Sequence, residues 1–202
     1  MKPDRLNALT DGVVAIAITI IVLELPVPEE ATFAGLREVA PMLLAYLLSF
    51  INIGIFWNNH HHMLTTATKV DGRVLWANLA LLFSLSLMPF VIRWLDEAEF
   101  AALPTAAYGV VVLGAALSYQ LLEWSIIRLH GREGMLARAL GGDWKAKLSA
   151  AGYLAAIGLA FVNPLISITI YVLISAAWFI PDRRIERQHV AEHGAASGND
   201  AP

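Results

Sequence analysis

The residues able to do chemistry cluster at the start of the chain. Arg5, Thr10 and Asp11 lead into an apolar run that continues from Val13 to Leu23. A guanidinium, a hydroxyl and a carboxylate this close together can hold a buried hydrogen-bond network, or they can pass a proton. A carboxylate inside a membrane-spanning segment costs roughly 2.5–3.5 kcal/mol, so its presence marks function or architecture. A second cluster is His60-His61-His62. Neighbouring side chains on a helix diverge by about 100°, so the run does not chelate one ion as an i, i+4 pair would. Other chemistries are excluded by composition. The chain has no cysteine, hence no disulfide framework, thiolate nucleophile or thiolate metal site. It contains no P-loop, dinucleotide-binding glycine pattern or nucleophile elbow. Two uses of the polar residues remain open: a structural brace, or proton handling by Asp11 and His60–His62 in a small proton-coupled transporter or membrane enzyme.

The elements that must position these residues are apolar. Of 202 residues, 57% are hydrophobic and 15% charged, far from the balance of a soluble domain. Asking for about 20 apolar residues per crossing gives six spans. They run from Asp4 to Leu25, Phe33 to Met63, Arg73 to Leu95, Pro104 to Leu129, Lys145 to Val162 and Pro164 to Ile180. The first could be mistaken for a secretion signal, but its polar start holds Asp4 and Asp11 beside Lys2 and Arg5, and five further apolar segments follow. The fold class is therefore an all-α integral membrane protein with six transmembrane helices. Residues 1–184 form the membrane domain. Residues 185–202 form a polar tail expected to be disordered and cytoplasmic. No internal repeat is present.

Lysine and arginine set the orientation. Twelve of the 14 fall on one side: Lys2, Arg5, Lys69, Arg73, Arg128, Arg132, Arg138, Lys145, Lys147, Arg183, Arg184 and Arg187. Only Arg37 and Arg93 fall on the other. Basic loops stay inside, so both termini are expected in the cytoplasm of a multi-pass cell-membrane protein. The outer side carries Glu29, Glu30, Glu38, Asp96, Glu97 and Glu99. This acidic rim is either a set of solvated loops or a mouth that concentrates cations.

On a helical wheel, Leu9, Gly12, Ile16, Thr19, Ile20 and Leu23 share one stripe about 100° wide, and Thr10 and Asp11 point elsewhere. Such a stripe suits ordinary helix packing. It also suits a pore wall with constrictions at Ile16, Ile20 and Leu23 and a hydroxyl at Thr19.

Arg5-x-x-x-Leu9-Thr10-Asp11 resembles the R-x-x-x-F-S-D signature that opens the first helix of the transmembrane protein 175 family of potassium channels. The likeness continues through Gly12-Val13, Ala15-Ile16, Thr19 and Leu23-Glu24-Leu25-Pro26-Val27-Pro28, then Phe56-Trp57-x-x-His60-His61, and Asn78, Pro89 and Phe90. Leucine stands for the phenylalanine, and threonine for the serine with its hydroxyl kept. The resemblance implies a homotetramer of six-helix subunits with helix 1 lining a central pore, and no enzymatic activity. It implies a hydrophobic constriction at Ile16, Ile20 and Leu23 with a polar ring at Thr19, in place of a carbonyl filter. Arg5, Thr10 and Asp11 would form a buried polar network with Trp57, His60, His61 and Asn78. The expected partners are other copies of the chain, the lipid bilayer and monovalent cations, with no nucleic acid and no cofactor. The resemblance implies potassium as the permeant ion, and hydrophobic constrictions of this kind can gate by dewetting.

Overall fold

A computed structural model describes residues 3–131, 136 and 144–179. Every element among the described residues is a helix. α1 spans Asp4–Leu23, α2 Phe33–Thr65, α3 Gly72–Ser86, α4 Met88–Glu97, α5 Ala102–His130, α6 Trp144–Leu159 and α7 Pro164–Phe179. Lys2, Arg132, Arg138, Arg183, Arg184, Arg187 and the 185–202 tail lie outside the described residues.

Local chemistry explains the boundaries. α1 stops ahead of Pro26 and Pro28, whose rings cannot continue a helix. The Thr32 hydroxyl caps α2 by accepting from the Gly35 N–H at 3.2 Å, and the Asp71 carboxylate caps α3 by accepting from Arg73 and Val74 N–H, both at 3.0 Å. α5 ends at Gly131, whose φ of 84° favours glycine. In the α6–α7 turn, the Asn163 side chain accepts from the Leu165 N–H at 2.9 Å and starts α7.

One boundary departs from the sequence expectation. The third span, read as a single helix from Arg73 to Leu95, breaks at Leu87 into α3 and α4. Pro89 lies in the first turn of α4, where its missing N–H and fixed φ are tolerated. α3 with α4, α1, α2 and α5 are long and apolar enough to cross a membrane. α6 and α7 are shorter, at 16 residues each.

α1 packs on α2, α3 and α4, and α5 packs on α3, α4, α6 and α7, while α7 also touches α2. α2 and α5 thus tie the two ends of the chain into one body. Its core runs through Ile21, Ile53, Leu81, Ile92, Leu122 and Ala156, all essentially inaccessible. Small residues allow the α6 contacts: Ala156 and Ala160 are fully buried, and a Cβ on Gly152 would meet the Ile174 side chain.

Gly109 has the same role under α7. A Cβ there would collide with the Tyr171 hydroxyl and with Ile157, and that hydroxyl donates to the Thr105 carbonyl at 3.2 Å. Gly109→Ala is predicted to destabilise the protein by about 1–3 kcal/mol through overpacking, seen as a lower unfolding temperature in detergent. Gly158→Ala, where a Cβ meets nothing within 4 Å, should leave that temperature unchanged.

Candidate functional site

α1 presents two unlike faces. Leu6, Thr10, Val14, Ala17 and Ile21 recur at intervals of three and four and are buried against the bundle. The opposite side is uncovered: Ile16 is 61% exposed, Leu23 76% and Ile20 40%, and Gly12 and Thr19 are also exposed. The sequence-derived stripe therefore lies on the face that the chain does not cover. The Thr19 hydroxyl donates to the Ala15 carbonyl at 2.7 Å. With its hydrogen committed to the helix, the oxygen keeps its lone pairs for an outside donor or cation.

The packed face carries the polar residues that orient the helix. Thr10 is 1% exposed, His60 2% and Asn78 0%. The His60 Nε2 lies 2.7 Å from Asn78 Oδ1, the Asn78 amide donates to the Thr10 hydroxyl at 3.2 Å, and Thr10 Oγ1 lies 3.5 Å from His60 Nε2. Three helices, α1, α2 and α3, each contribute one member. Nearby, the Trp57 indole N–H donates to Asp11 Oδ1 at 2.7 Å, and the His61 ring stacks on Trp57 with centroids 6.1 Å apart.

The seven residues expected to form one buried network thus divide. Thr10, His60 and Asn78 form a closed cluster. Asp11, Trp57 and His61 form a second set on the exposed surface. Arg5, expected in the same network, is exposed and makes no hydrogen bond or ion pair with the described residues. The histidine run diverges as helix geometry requires, with His60 buried and His61 and His62 exposed.

Two features escaped the sequence reading. A second buried polar chain joins α2, α5 and α7. Asn52 Nδ2 donates to the Tyr108 hydroxyl at 3.2 Å, Ser49 Oγ lies 3.3 Å from that hydroxyl, and the Ser175 hydroxyl donates to Asn52 Oδ1 at 2.8 Å. Scattered serines and one asparagine in apolar helices give no signal of mutual contact. The second feature is at the C-terminal end of α1. Arg93 on α4 reaches Glu24 at 3.3 Å and Glu97 at 2.8 Å. The i, i+4 spacing of Arg93 and Glu97 could have suggested that half of the contact.

Comparison with known proteins shows the family. The profile described as endosomal/lysosomal potassium channel TMEM175 matches residues 5–89. A potassium channel from Chryseobacterium sp. (strain P1-3) is 46% identical over 187 residues, covering 93% of this chain and 97% of that protein. The chain belongs to the TMEM175 family. A second potassium channel, from Streptomyces collinus, is 30% identical over 182 residues, covering 85% of this chain and 88% of its own. The crystal structure of a lysosomal potassium-selective channel TMEM175 homolog from Chamaesiphon minutus superposes with a TM-score of 0.75 and 25% identity, covering 88% of this chain and 96% of that one. The matched region begins at Arg5 and takes in Thr10 and Asp11.

The Thr10–His60–Asn78 cluster predicts a specific sensitivity. Asn78→Leu removes both partners that the asparagine supplies and strands buried donors and acceptors on α1 and α2. The expected cost is about 1–3 kcal/mol, read as a fall in the unfolding temperature of purified protein. Thr10→Ser keeps the hydroxyl and should keep most of that stability.

Proposed function

We propose that this protein is a potassium-permeable channel in which four copies surround a central pore lined by α1. The observation that carries this reading is the uncovered stripe of Ile16, Thr19, Ile20 and Leu23, opposite a face locked to the bundle by Thr10. One copy of α1 cannot enclose a conduction path, so the stripe needs partners, and a closed ring is the ordinary way for identical chains to supply them. Relatives named as potassium channels across nearly their whole length support the assignment.

The chemistry of the stripe suits a filter that works without backbone carbonyls. Aliphatic rings offer no ligands, so an ion passes by shedding or squeezing its hydration shell, which costs less for potassium than for smaller sodium. Thr19 presents oxygen lone pairs within the stripe and partly replaces lost water. Preference for potassium should therefore be real but modest. The membrane is the cell membrane, with both termini cytoplasmic.

A transporter or enzyme built on Asp11 and His60–His62 fits less well. His60 is engaged by Asn78 and Thr10, Asp11 by Trp57, and His61 and His62 lie exposed on diverging faces.

Cation flux into liposomes tests the filter. Ile16→Asn is expected to raise flux and bring potassium/sodium preference close to unity; unchanged flux and unchanged preference reject Ile16 as the constriction. Light scattering on detergent-solubilised protein should give the mass of four chains. Because the chain has no cysteine, topology is open to thiol labelling. A membrane-impermeant maleimide on intact cells should label Glu29→Cys and spare Ser197→Cys, and the reverse pattern would invert the orientation.

A further inference from the structure

A cavity lies between α2, α5, α6 and α7, lined by none of the α1 residues. About 40 Å³ of it is open to the centres of water molecules, room for roughly three. Asn52 and Asn59 from α2, Gln120 from α5, and Ser149 and Tyr153 from α6 face this space. An amide or hydroxyl left unpaired inside a membrane bundle is costly. Their convergence on one cavity therefore calls for a partner.

Much of this hydrogen-bonding capacity is unused within the described residues. Tyr153 is only 4% exposed, yet its hydroxyl bonds to none of them. No sealed side-chain nitrogen or oxygen among them lacks a partner, so that hydroxyl opens into the cavity it lines. The half-buried amides of Asn59 and Gln120 likewise bond to no described residue. The Ser149 hydroxyl accepts from the Trp178 indole N–H at 2.8 Å and keeps its own hydrogen available. Asn52 gives one amide hydrogen to Tyr108 and its oxygen to Ser175, which leaves its second hydrogen. Dry cavities have apolar walls, whereas one with several donors and acceptors within reach holds water.

We propose that this cavity is a structural water site, in which ordered water bridges Tyr153 of α6 to the amides of α2 and α5. Direct side-chain hydrogen bonds tie α6 to α7, through Ser149 and through the Ala156 carbonyl, which accepts from Ser167 at 2.6 Å. Water extends that attachment to α2 and α5, and it joins Tyr153 to the polar chain of Asn52, Tyr108 and Ser175. The ligand class follows from size and charge. The space admits only a few heavy atoms. No charged side chain among the described residues lines it, so an ion entering it would meet no counter-charge.

X-ray radiolytic labelling of the full chain in lipid nanodiscs reads the site, because the radicals form from water beside the side chain they oxidise. Tyr153 should be oxidised severalfold faster than Tyr171, which is 1% exposed and donates its hydroxyl hydrogen to the Thr105 carbonyl. Ala116 lines the same cavity, and Ala116→Leu, which fills it, should remove that difference. Thermal unfolding supplies a second measurement that needs no filled cavity. Tyr153→Phe deletes only the hydroxyl. With water bound to that hydroxyl, the unfolding temperature should fall by about 2–4 °C, the shift for one hydrogen bond in a chain of this size. In a dry cavity the same change removes an unpaired polar group, and the temperature stays or rises. Equal oxidation of Tyr153 and Tyr171, Tyr153 labelling that survives Ala116→Leu, or a Tyr153→Phe chain as stable as wild type overturns the site. If Ala116→Leu does not fold, the wild-type labelling and the Tyr153→Phe shift decide.

Discussion

The structure depends on one buried hydrogen-bonded set, Thr10 on α1, His60 on α2 and Asn78 on α3. In hydrocarbon there is no water to replace a lost partner, so each of these groups must find its mate inside the protein. Apolar packing alone would let α1 rotate by a few tens of degrees at little cost, because aliphatic side chains accept many neighbours. A hydroxyl that must meet an amide and an imidazole does not permit that rotation. Once Thr10 is fixed, the helix repeat dictates that Gly12, Ile16, Thr19 and Leu23 face away from the bundle. The rotation of the candidate pore wall is thus set by residues that do not line it.

α2 is the element that makes this rigid. Its buried face carries His60 near the C-terminal end and Ser49 and Asn52 nearer the middle. The first joins α1 and α3, and the others join Tyr108 on α5 and Ser175 on α7. The two polar sets share a backbone, so neither lobe of the bundle can turn about α2 without breaking hydrogen bonds. Among the described residues, no buried side-chain nitrogen or oxygen lacks a partner. Such full satisfaction is what makes a polar core tolerable in a membrane.

Much of this was legible in the sequence because the bilayer simplifies the problem. Six apolar segments of near-crossing length all fold as helices, with ends close to the expected ones, since proline, glycine and capping residues mark the exits. The break at Leu87 was missed because hydropathy runs straight through it, and Pro89 was the available clue. The exposed stripe on α1 was readable from period alone. Membership of the polar network was readable only in part: Thr10, His60 and Asn78 meet, and Arg5, Asp11, Trp57 and His61 do not join them. A signature places Arg5, Thr10 and Asp11 on one helix, but a separation of 100° per residue sends them to three different surroundings. The α5 pair Tyr108 and Gly109 likewise gave no sequence signal of its role. Tyr108 is a buried hydrogen-bonding post and Gly109 makes room for Tyr171.

Assembly in a membrane follows a different logic from assembly in water. The uncovered face of α1 is no liability in lipid, which is as apolar as leucine, so exposure of Ile16 and Leu23 does not drive copies together. Close packing and polar pairing must do so. The α1 surface is suited to the first: Ala8, Gly12, Ala15 and Thr19 are all exposed on the uncovered side, and nothing lies within 4 Å of where a Gly12 Cβ would be. In the proposed tetramer, Gly12 and Ala15 would let neighbouring copies of α1 approach, and the larger side chains at Ile16, Ile20 and Leu23 would narrow the space enclosed beyond them. On that proposal a single helix would carry the shape of the pore wall in its sequence of side-chain sizes. The polar cluster behind it fixes which face of α1 the bundle leaves uncovered.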